Sequence, residues 1–289
     1  MLKKLENNEI ANHIDYAYSL ALDLKRSAFP TYCDGIKTKE DFTRIAMDVA
    51  EDKYPNSEIL LFVQERIKGW IHYYIEDGGE YLGFEAFCIE ENTEDAIDEF
   101  LDYARKRYPC VEIYFGFPKE NEAAVRHLKS RGFTVGDESS LLVFDFAEYI
   151  EQEEQGGVEA VSAENWTDFA ALHTDEMMYW NAKRLADAYF STDRGGWRLF
   201  LYRREGKAVA NIYYKRYSGD GMTEIFGIDH RDEGFDADAE RALLIRALNE
   251  SKASGTANMV YFAEAAREHA VLDELGAHFI TDYILLWNK

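Results

Sequence analysis

LGFEAFCIEENTEDAIDEFLDYARKRYPCVEIYFGFPKENEAAVRHLKSRGF, residues 82–133, contains the patterns of two strands and two helices in alternation. LGFEAFCI and VEIYFGF are short apolar runs typical of strands, and the segment between them has the spacing of a long helix that stops at Pro109. The second helix ends at Gly132, because glycine adopts the left-handed turn that closes a helix before a strand. Two further apolar strands, ILLFVQ and GWIHYYI, precede this stretch. The order predicts an α+β domain around a mixed sheet.

The same order recurs in the second half of the chain. Residues 58–146 and 197–288 share their landmarks: LGFEAF matches TEIFGI, VEIYFG matches MVYFAE, SRGF matches ELGAHF, and each half has a Tyr-Tyr pair. The spacing between matching landmarks changes little, so one register with a few loop insertions explains them all. The polar, glycine-ended run EQEEQGG at 151–157 is typical of a domain boundary. We therefore predict two domains of one kind, 1–150 and 158–289.

The composition predicts a folded protein with no metal site and no membrane-spanning segment. The 289 residues are 47% hydrophobic and 15% aromatic, which argues against disorder. The three cysteines, including Cys33, form no disulfide framework or zinc pattern, and the seven histidines lack metal-ligand spacing. The N-terminus lacks an apolar signal core, and no apolar run is long enough to span a bilayer. We expect a cytoplasmic, soluble protein.

The formal net charge of −23 excludes one class of function. Nucleic-acid binding depends on neutralising phosphates with basic side chains, and this surface would repel them. An acidic surface serves solubility and also attracts cationic partners. A phosphate-bearing ligand needs a local positive site.

The segment NEAAVRHLKSRGF carries a family resemblance. Asn121, Ala124, Gly132 and Phe133 have the spacing of a segment characteristic of the GNAT superfamily, the GCN5-related N-acetyltransferases. With the order of elements, it makes the chain similar to a tandem pair of GNAT domains. The resemblance implies two domains, each a central mixed sheet flanked by helices and splayed near its middle. It also implies an acyl-CoA donor, above all acetyl-CoA, and no metal.

The resemblance further implies where the donor binds. In the family, the pantetheine arm pairs with the backbone of the central strand, which corresponds to Gly227 and Ile228, and Asn121 lies at a neighbouring strand end. The CoA pyrophosphate binds a glycine-rich loop at a helix N-terminus. In this chain only Gly234 and the basic pair His230-Arg231 retain part of that chemistry, and only in the second half.

Two departures from the family pattern matter. A Tyr that often protonates the leaving thiolate is replaced by Leu128 in one half and Leu272 in the other. The loops at the phosphate position are acidic in both halves. Their carboxylates are Glu90, Glu91, Glu94 and Asp95 in the first half, and Asp238 and Glu240 in the second. Such carboxylates stabilise a helix start by about 0.3–1 kcal/mol each and repel phosphate. We therefore place any working site in the second domain.

Two strand carboxylates, Glu85 and Glu224, lie where many family members hold a general base. An amine must lose its proton before it attacks a thioester, and a carboxylate at the opening of the sheet can take it. The alternative is a glutamate that faces solvent, since alternate strand residues point to opposite sides. We favour Glu224, because its strand leads to the loop that holds Arg231.

Candidate acceptor-binding residues are aromatic or amide side chains of the second half: Tyr179, Trp180, Asn211 and Tyr213. The corresponding helices and strand wall the acceptor pocket in the family. The alternative is that this aromatic stretch is core or a domain interface, which is the commoner role of such residues.

Two functions follow. The first is an acyl-CoA-dependent N-acyltransferase acting on a small-molecule or peptidyl amine, expected to be cationic. The alternative is a catalytically silent GNAT-fold module for binding or assembly, since both halves lack the family's glycine loop and Tyr. The oligomeric state stays open, with a homodimer among the options.

Overall fold

The structure is a computed structural model that describes residues 1–28, 38–54, 56–76, 81–176, 178–191, 194–217, 221–231, 234–264 and 266–288. Cys33 lies outside these residues. The chain forms two compact units, Met1–Leu141 with Ile280–Lys289, and Leu142–Phe279. No helix in the described residues is long and apolar enough to cross a membrane.

The first unit begins with a short strand and helical segments, followed by an antiparallel meander and then alternating helices and strands. Its elements are β1 Leu2–Lys4, a 3-10 helix Asn7–His13, α1 Ile14–Ala21, α2 Lys39–Ala50, β2 Ser57–Val63, β3 Ile67–Ile75, β4 Tyr81–Ile89, α3 Thr93–Arg107, β5 Glu112–Pro118, α4 Glu122–Ser130 and β6 Thr134–Asp145. β2, β3 and β4 pair antiparallel, and β4 pairs parallel with β5. The sheet is therefore mixed, as predicted.

The second unit repeats this order. Its elements are β7 Val158–Ala160, α5 Trp166–Ala170, α6 Ala182–Tyr189, a 3-10 helix Arg194–Gly196, β8 Trp197–Arg204, β9 Lys207–Arg216, β10 Met222–His230, α7 Ala237–Ala253, β11 Asn258–Ala263 and α8 Ala266–Glu274, and the chain ends in β12 His278–Asn288. β7, β8, β9 and β10 pair antiparallel, and β10 pairs parallel with β11.

Helices cover both faces of each sheet, because successive strand residues point to opposite sides. In the first unit, one apolar core lies under α3 and α4 and another lies under α1 and α2. In the second unit, α7 and α8 cover one core and α5 and α6 cover the other. The two faces of the second sheet are called the α7 face and the α5–α6 face below.

Local signals in the sequence set the helix ends. Thr38 caps α2, and its hydroxyl accepts a hydrogen bond from the Asp41 N–H at 3.2 Å. Gly132 and Gly276 follow α4 and α8 with φ of +87° and +88°, which is the left-handed turn predicted for both. At the start of the chain, the 3-10 helix Asn7–His13 leads directly into α1, which ends at Ala21.

The last strand of the chain completes the first unit. β12 pairs antiparallel with β5, from Tyr283 opposite Pro118 to Asn288 opposite Ile113. Ile284 is 7% exposed and Leu286 is fully buried, and both belong to the core under α3 and α4. The predicted domains, 1–150 and 158–289, did not anticipate this pairing, because β6 and β12 have similar apolar patterns and the sequence does not say which sheet each one joins.

Candidate active site

A β-bulge opens the central strand of the second unit. β10 pairs with β11 from Met222 to Ile225, and the register against β9 shifts between Ile225 and Gly227. Phe226 is thus the extra residue, and beyond it β10 follows β9 alone. A bulge bends its strand away from a neighbour. Among the described residues, the β11 side of β10 has no strand partner beyond Phe226.

The first unit has a matching bulge. β4 pairs with β5 at Tyr81 and Leu82, and its register against β3 shifts around Glu85. The bulges therefore make Glu85 equivalent to Phe226. Glu224 lies two residues before its bulge, so the two predicted bases occupy different positions. Matching LGFEAF with TEIFGI made the two glutamates look equivalent, because the extra residue of a bulge has no recognisable pattern in the sequence.

In the first unit the chain itself covers the open edge. The Ala28 N–H donates to the Phe87 carbonyl, and the Ile89 N–H donates to the Arg26 carbonyl, both at 2.9 Å. The Asn121 amide donates to the Ser27 carbonyl at 3.1 Å. Residues 26–28 therefore act as an extra strand on β4.

Aromatic rings fill the space beside that edge. Phe84 stacks on Phe115 with ring centroids 4.4 Å apart. Asn121 is 1% exposed, and its carbonyl oxygen accepts the Ala124 N–H at the start of α4. The Asn121 side chain therefore makes its hydrogen bonds within the protein: it caps α4 and holds residues 26–28.

In the second unit, no segment among the described residues covers the same edge. The registers make Ile228 and His230 the counterparts of Phe87 and Ile89. Within the described residues, no backbone group bonds to the outward side of Ile228 or His230. Among the described residues, the Ile228 carbonyl and the His230 N–H therefore lack a backbone partner at this edge, and they have the strand geometry that pairs with an extended amide chain.

Gly227 allows the ring of Tyr213 to cover this strand. The two residues are opposite each other, and a Cβ on Gly227 would lie 2.2 Å from the Tyr213 hydroxyl. Tyr213 is 1% exposed, so its ring is packed on all sides and a Cβ at position 227 would press against it. Two residues that the sequence placed in different sites, donor and acceptor, thus lie in contact.

Glu224 lies on the α5–α6 face, just before the bulge. It is half-buried and stands opposite Lys215 on β9. The Tyr217 hydroxyl donates to its Oε2 at 2.7 Å. A carboxylate has about four lone-pair sites, so one that accepts a hydroxyl hydrogen bond can still accept a proton.

A cluster of aromatic side chains lies on the same face as this carboxylate. Trp180 and Trp197 have ring centroids 4.8 Å apart, and Trp197 contacts Phe226 at 4.8 Å. Tyr179 is 36% exposed, and the Arg184 guanidinium lies 4.4 Å from its ring centroid. Trp180 is therefore beside the bulge, and Tyr179 is nearer the surface.

Asn211 lies further along the same face and is fully buried. Its carbonyl oxygen accepts the Asp229 N–H at 3.3 Å, and its Nδ2 has no partner among the described residues. Of the four predicted acceptor residues, Trp180, Asn211 and Tyr213 share the α5–α6 face.

His173 is a member of this face that the sequence did not reveal. Its Nδ1 lies 2.9 Å from Asp229 Oδ2, and its Nε2 lies 2.8 Å from the Trp180 carbonyl. Both partners are acceptors, so both nitrogens donate and the ring is an imidazolium. Burial lowers the pKa of His173, but the hydrogen bond and charge of Asp229 outweigh it, and the pKa is raised. His173 thereby ties Trp180 to β10.

Comparison with solved structures identifies the architecture. A GCN5-related N-acetyltransferase from Sphaerobacter thermophilus is 13% identical, with a TM-score of 0.65 over 100% of this chain and 95% of that one. A tandem GNAT protein from the clavulanic acid biosynthesis pathway is 11% identical, with a TM-score of 0.56 over 100% and 98%. A GCN5-related N-acetyltransferase from Kribbella flavida is 18% identical, with a TM-score of 0.54 over 85% and 94%. The chain has a tandem GNAT fold. No protein-family model matches its sequence, and no curated protein matches it significantly.

The phosphate position of a GNAT domain has unusual chemistry here. Asp236 caps α7, accepts the Ala239 N–H at 3.1 Å and forms an ion pair with Arg204 at 2.6 Å. Burial raises the pKa of Asp236, but Arg204 and the cap outweigh it, and the pKa is lowered. Glu240 in the first turn is fully buried, with Oε2 3.2 Å from His230 Nε2. The start of α7 is therefore satisfied by its own carboxylates and does not fit a pyrophosphate.

Two other predicted phosphate-side residues lie beside this helix start. Arg231 is exposed, and its Nε donates to the Ala208 carbonyl at 2.8 Å. The Gly234 N–H donates to the Arg231 carbonyl at 3.1 Å. The guanidinium keeps other N–H groups for an anion.

The acidic loop of the first GNAT unit is less negative than its sequence implies. Glu90 pairs with Arg66 in two hydrogen bonds, and Glu91 pairs with Lys68. Glu94 lies 3.8 Å from the guanidinium of Arg126. These cations lie outside the loop, which is why the loop's own residues did not indicate them.

The two leucines at the family's Tyr position are core residues. Leu128 belongs to α4 and Leu272 belongs to α8, and both side chains are fully buried. Among the described residues, no cluster of His, Cys, Asp or Glu could hold a metal ion.

Proposed function

We propose that the second GNAT unit is an acyl-CoA-dependent N-acyltransferase of the cytoplasm, with acetyl-CoA as donor and a small-molecule or peptidyl amine as acceptor. One observation carries this proposal. Among the described residues, no backbone group pairs with the outward edge of β10 at Ile228 and His230, whereas the matching edge of β4 is covered by residues 26–28. Strand pairing uses backbone groups only, so it survives the loss of side-chain motifs.

The residues present fit the pantetheine arm of the donor better than its nucleotide. The backbone of Gly227, Ile228 and His230 would hold the arm, and Arg231 and Gly234 are the candidates beside the phosphates. The donor supplies a carbonyl activated as a thioester. Since α7 is capped by Asp236, most of the donor's affinity is expected to come from the arm.

We propose Glu224 as the general base. Its carboxylate takes a proton from the acceptor ammonium, and the free amine becomes a nucleophile. The Tyr217 hydroxyl, 2.7 Å from Oε2, orients the carboxylate. Trp180 and Trp197 exclude water on the same face, which strengthens the attraction between a cationic acceptor and Glu224.

A cationic acceptor fits the charges of this face. The carboxylate of Glu224 attracts an ammonium, whereas Asp229 is already paired with His173, and the aromatic face of Trp180 favours cations as well. The formal net charge of −23 acts in the same direction at longer range.

A second candidate is a catalytically silent GNAT-fold module for binding or assembly. The cap of Asp236 on α7 and the buried Leu272 favour it, because they remove the phosphate site and the family's acid. A crystal grown with CoA separates the two functions. Ligand density along β10 supports the enzyme, and side chains filling both clefts support the module.

Calorimetry with acetyl-CoA tests the proposal. We expect a Kd below about 1 mM, which corresponds to at least about 4 kcal/mol. Gly227→Ala should weaken binding at least about tenfold, because overpacking against Tyr213 costs about 1–3 kcal/mol and distorts the bulge. Gly83→Ala is the matched control: its Cβ would lie 2.6 Å from the Tyr74 hydroxyl in the first unit. Equal loss of binding in both variants, or no binding by the wild type, contradicts the proposal.

A further inference from the structure

Three aromatic rings converge on one ammonium in the second unit. The Nζ of Lys215 lies 5.7 Å from the ring centroid of Trp180, 5.8 Å from that of Trp197 and 5.1 Å from that of Tyr217. A cation within about 6 Å of a ring centroid is attracted by the π-electrons. These rings form an aromatic cage, and the cage holds a primary amine of the chain itself.

The cage adjoins the proposed base. Lys215 and Glu224 are directly opposite each other in the β9–β10 ladder, so both side chains project from the α5–α6 face. Tyr217 belongs to both features, since its ring contacts Lys215 and its hydroxyl donates to Glu224.

The cage also adjoins the open edge of β10. Trp197 contacts Phe226 at 4.8 Å, and Trp180 lies 6.5 Å from the same ring. Phe226 is the bulge residue at which β10 leaves β11. Lys215 is half-buried, and its flexible side chain lies on the same face as the proposed base and the bulge at Phe226.

We infer that Lys215 is an acyl acceptor of the protein's own reaction, so that the protein acylates itself at this residue. The inference rests on the proposed function. The Lys215 ammonium gives one proton to Glu224, and the free amine attacks the thioester carbonyl. The C–N bond forms, the C–S bond breaks, and the second proton passes to the leaving thiolate. The products are an amide at Nζ and free CoA thiol.

The modification would change the acceptor face. Acyl-lysine is neutral, so it loses its cation–π attraction to the cage. Glu224 would then face one cation fewer, and the three rings would be free to hold a cationic amine from solution. Self-acylation would thus convert a cage that holds the chain's own ammonium into one that accepts an external ammonium.

Mass spectrometry tests the inference. The purified full chain is incubated with acetyl-CoA, and the acetylation of each lysine is followed by peptide mapping. Lys183 is the internal control for chemical acetylation, because its side chain is 85% exposed. We expect Lys215 to react at least about 100-fold faster than Lys183 and Glu224→Gln to remove that excess. Lys215→Arg, which keeps the cation, should show no enzyme-dependent acetylation elsewhere.

Each outcome separates this inference from the proposed function. Acetyl-CoA binding by calorimetry with Lys215 no faster than Lys183 overturns the inference alone. So does turnover of an external amine while Lys215 stays unmodified, or a fast reaction at Lys215 that Glu224→Gln leaves unchanged. A protein that binds no acetyl-CoA overturns both.

Discussion

Replacing Glu224 with Gln is expected to lower kcat by about 100- to 10,000-fold near neutral pH, while the affinity for acetyl-CoA stays nearly unchanged. Gln has almost the same shape and can still accept the Tyr217 hydrogen bond, but it cannot take a proton from the amine. A lost general base typically costs this factor. Steady-state kinetics and calorimetry on the same preparation measure the two quantities.

Glu85→Gln is the matched control in the first unit. It should be nearly neutral for turnover, because residues 26–28 cover the β4 edge beside Glu85. Activity lost with Glu85 and kept with Glu224 would show that the first unit is the working one. Activity unaffected by either change would remove the carboxylate-base mechanism.

Ending the chain at Phe279 is expected to unfold the first unit. The truncation removes β12, whose six pairings with β5 satisfy backbone groups at the sheet edge. It also removes the buried Ile284 and Leu286, each worth about 1.5–3 kcal/mol. The sum is comparable to the whole stability of a domain, about 5–15 kcal/mol. Urea denaturation followed by near-UV circular dichroism measures the loss.

Two point variants calibrate the truncation. Leu286→Ala should cost about 2–5 kcal/mol, because a fully buried leucine leaves a cavity. Phe279→Ser, at a position of the same strand that is 56% exposed, should change the free energy of unfolding by less than about 0.5 kcal/mol. A truncated chain with the unfolding curve of the full chain would show that β12 is not needed by the first unit.

The order of elements was predictable from the sequence because its signals are local. Periodicity, the Thr38 cap and the glycines at 132 and 276 act within a few residues of the elements they end. The internal repeat then predicted the order of helices and strands in the second half from that in the first. The pairing of β12 with β5 of the first unit was not predictable, because β6 and β12 have similar apolar patterns and either could join that sheet.

The candidate site was predictable only in part. The sequence named Gly227, Trp180 and Tyr213 through the family resemblance, and the structure places all three beside the bulge of β10. The bulges were not identified, because one extra residue leaves no mark in the sequence, and Glu85 and Glu224 were wrongly treated as equivalent. His173 and Asp229 are 56 residues apart, and nothing near either one indicates the other.

Amide hydrogen exchange at His230 tests the central claim most directly. We predict that saturating acetyl-CoA slows exchange of the His230 N–H, because the donor's pantetheine arm pairs with the open edge of β10. The Ile89 N–H should not change, since it already donates to the Arg26 carbonyl at 2.9 Å. Protection that appears along β4 instead, or bound acetyl-CoA with no protection at β10, would contradict the claim that the second unit holds the donor.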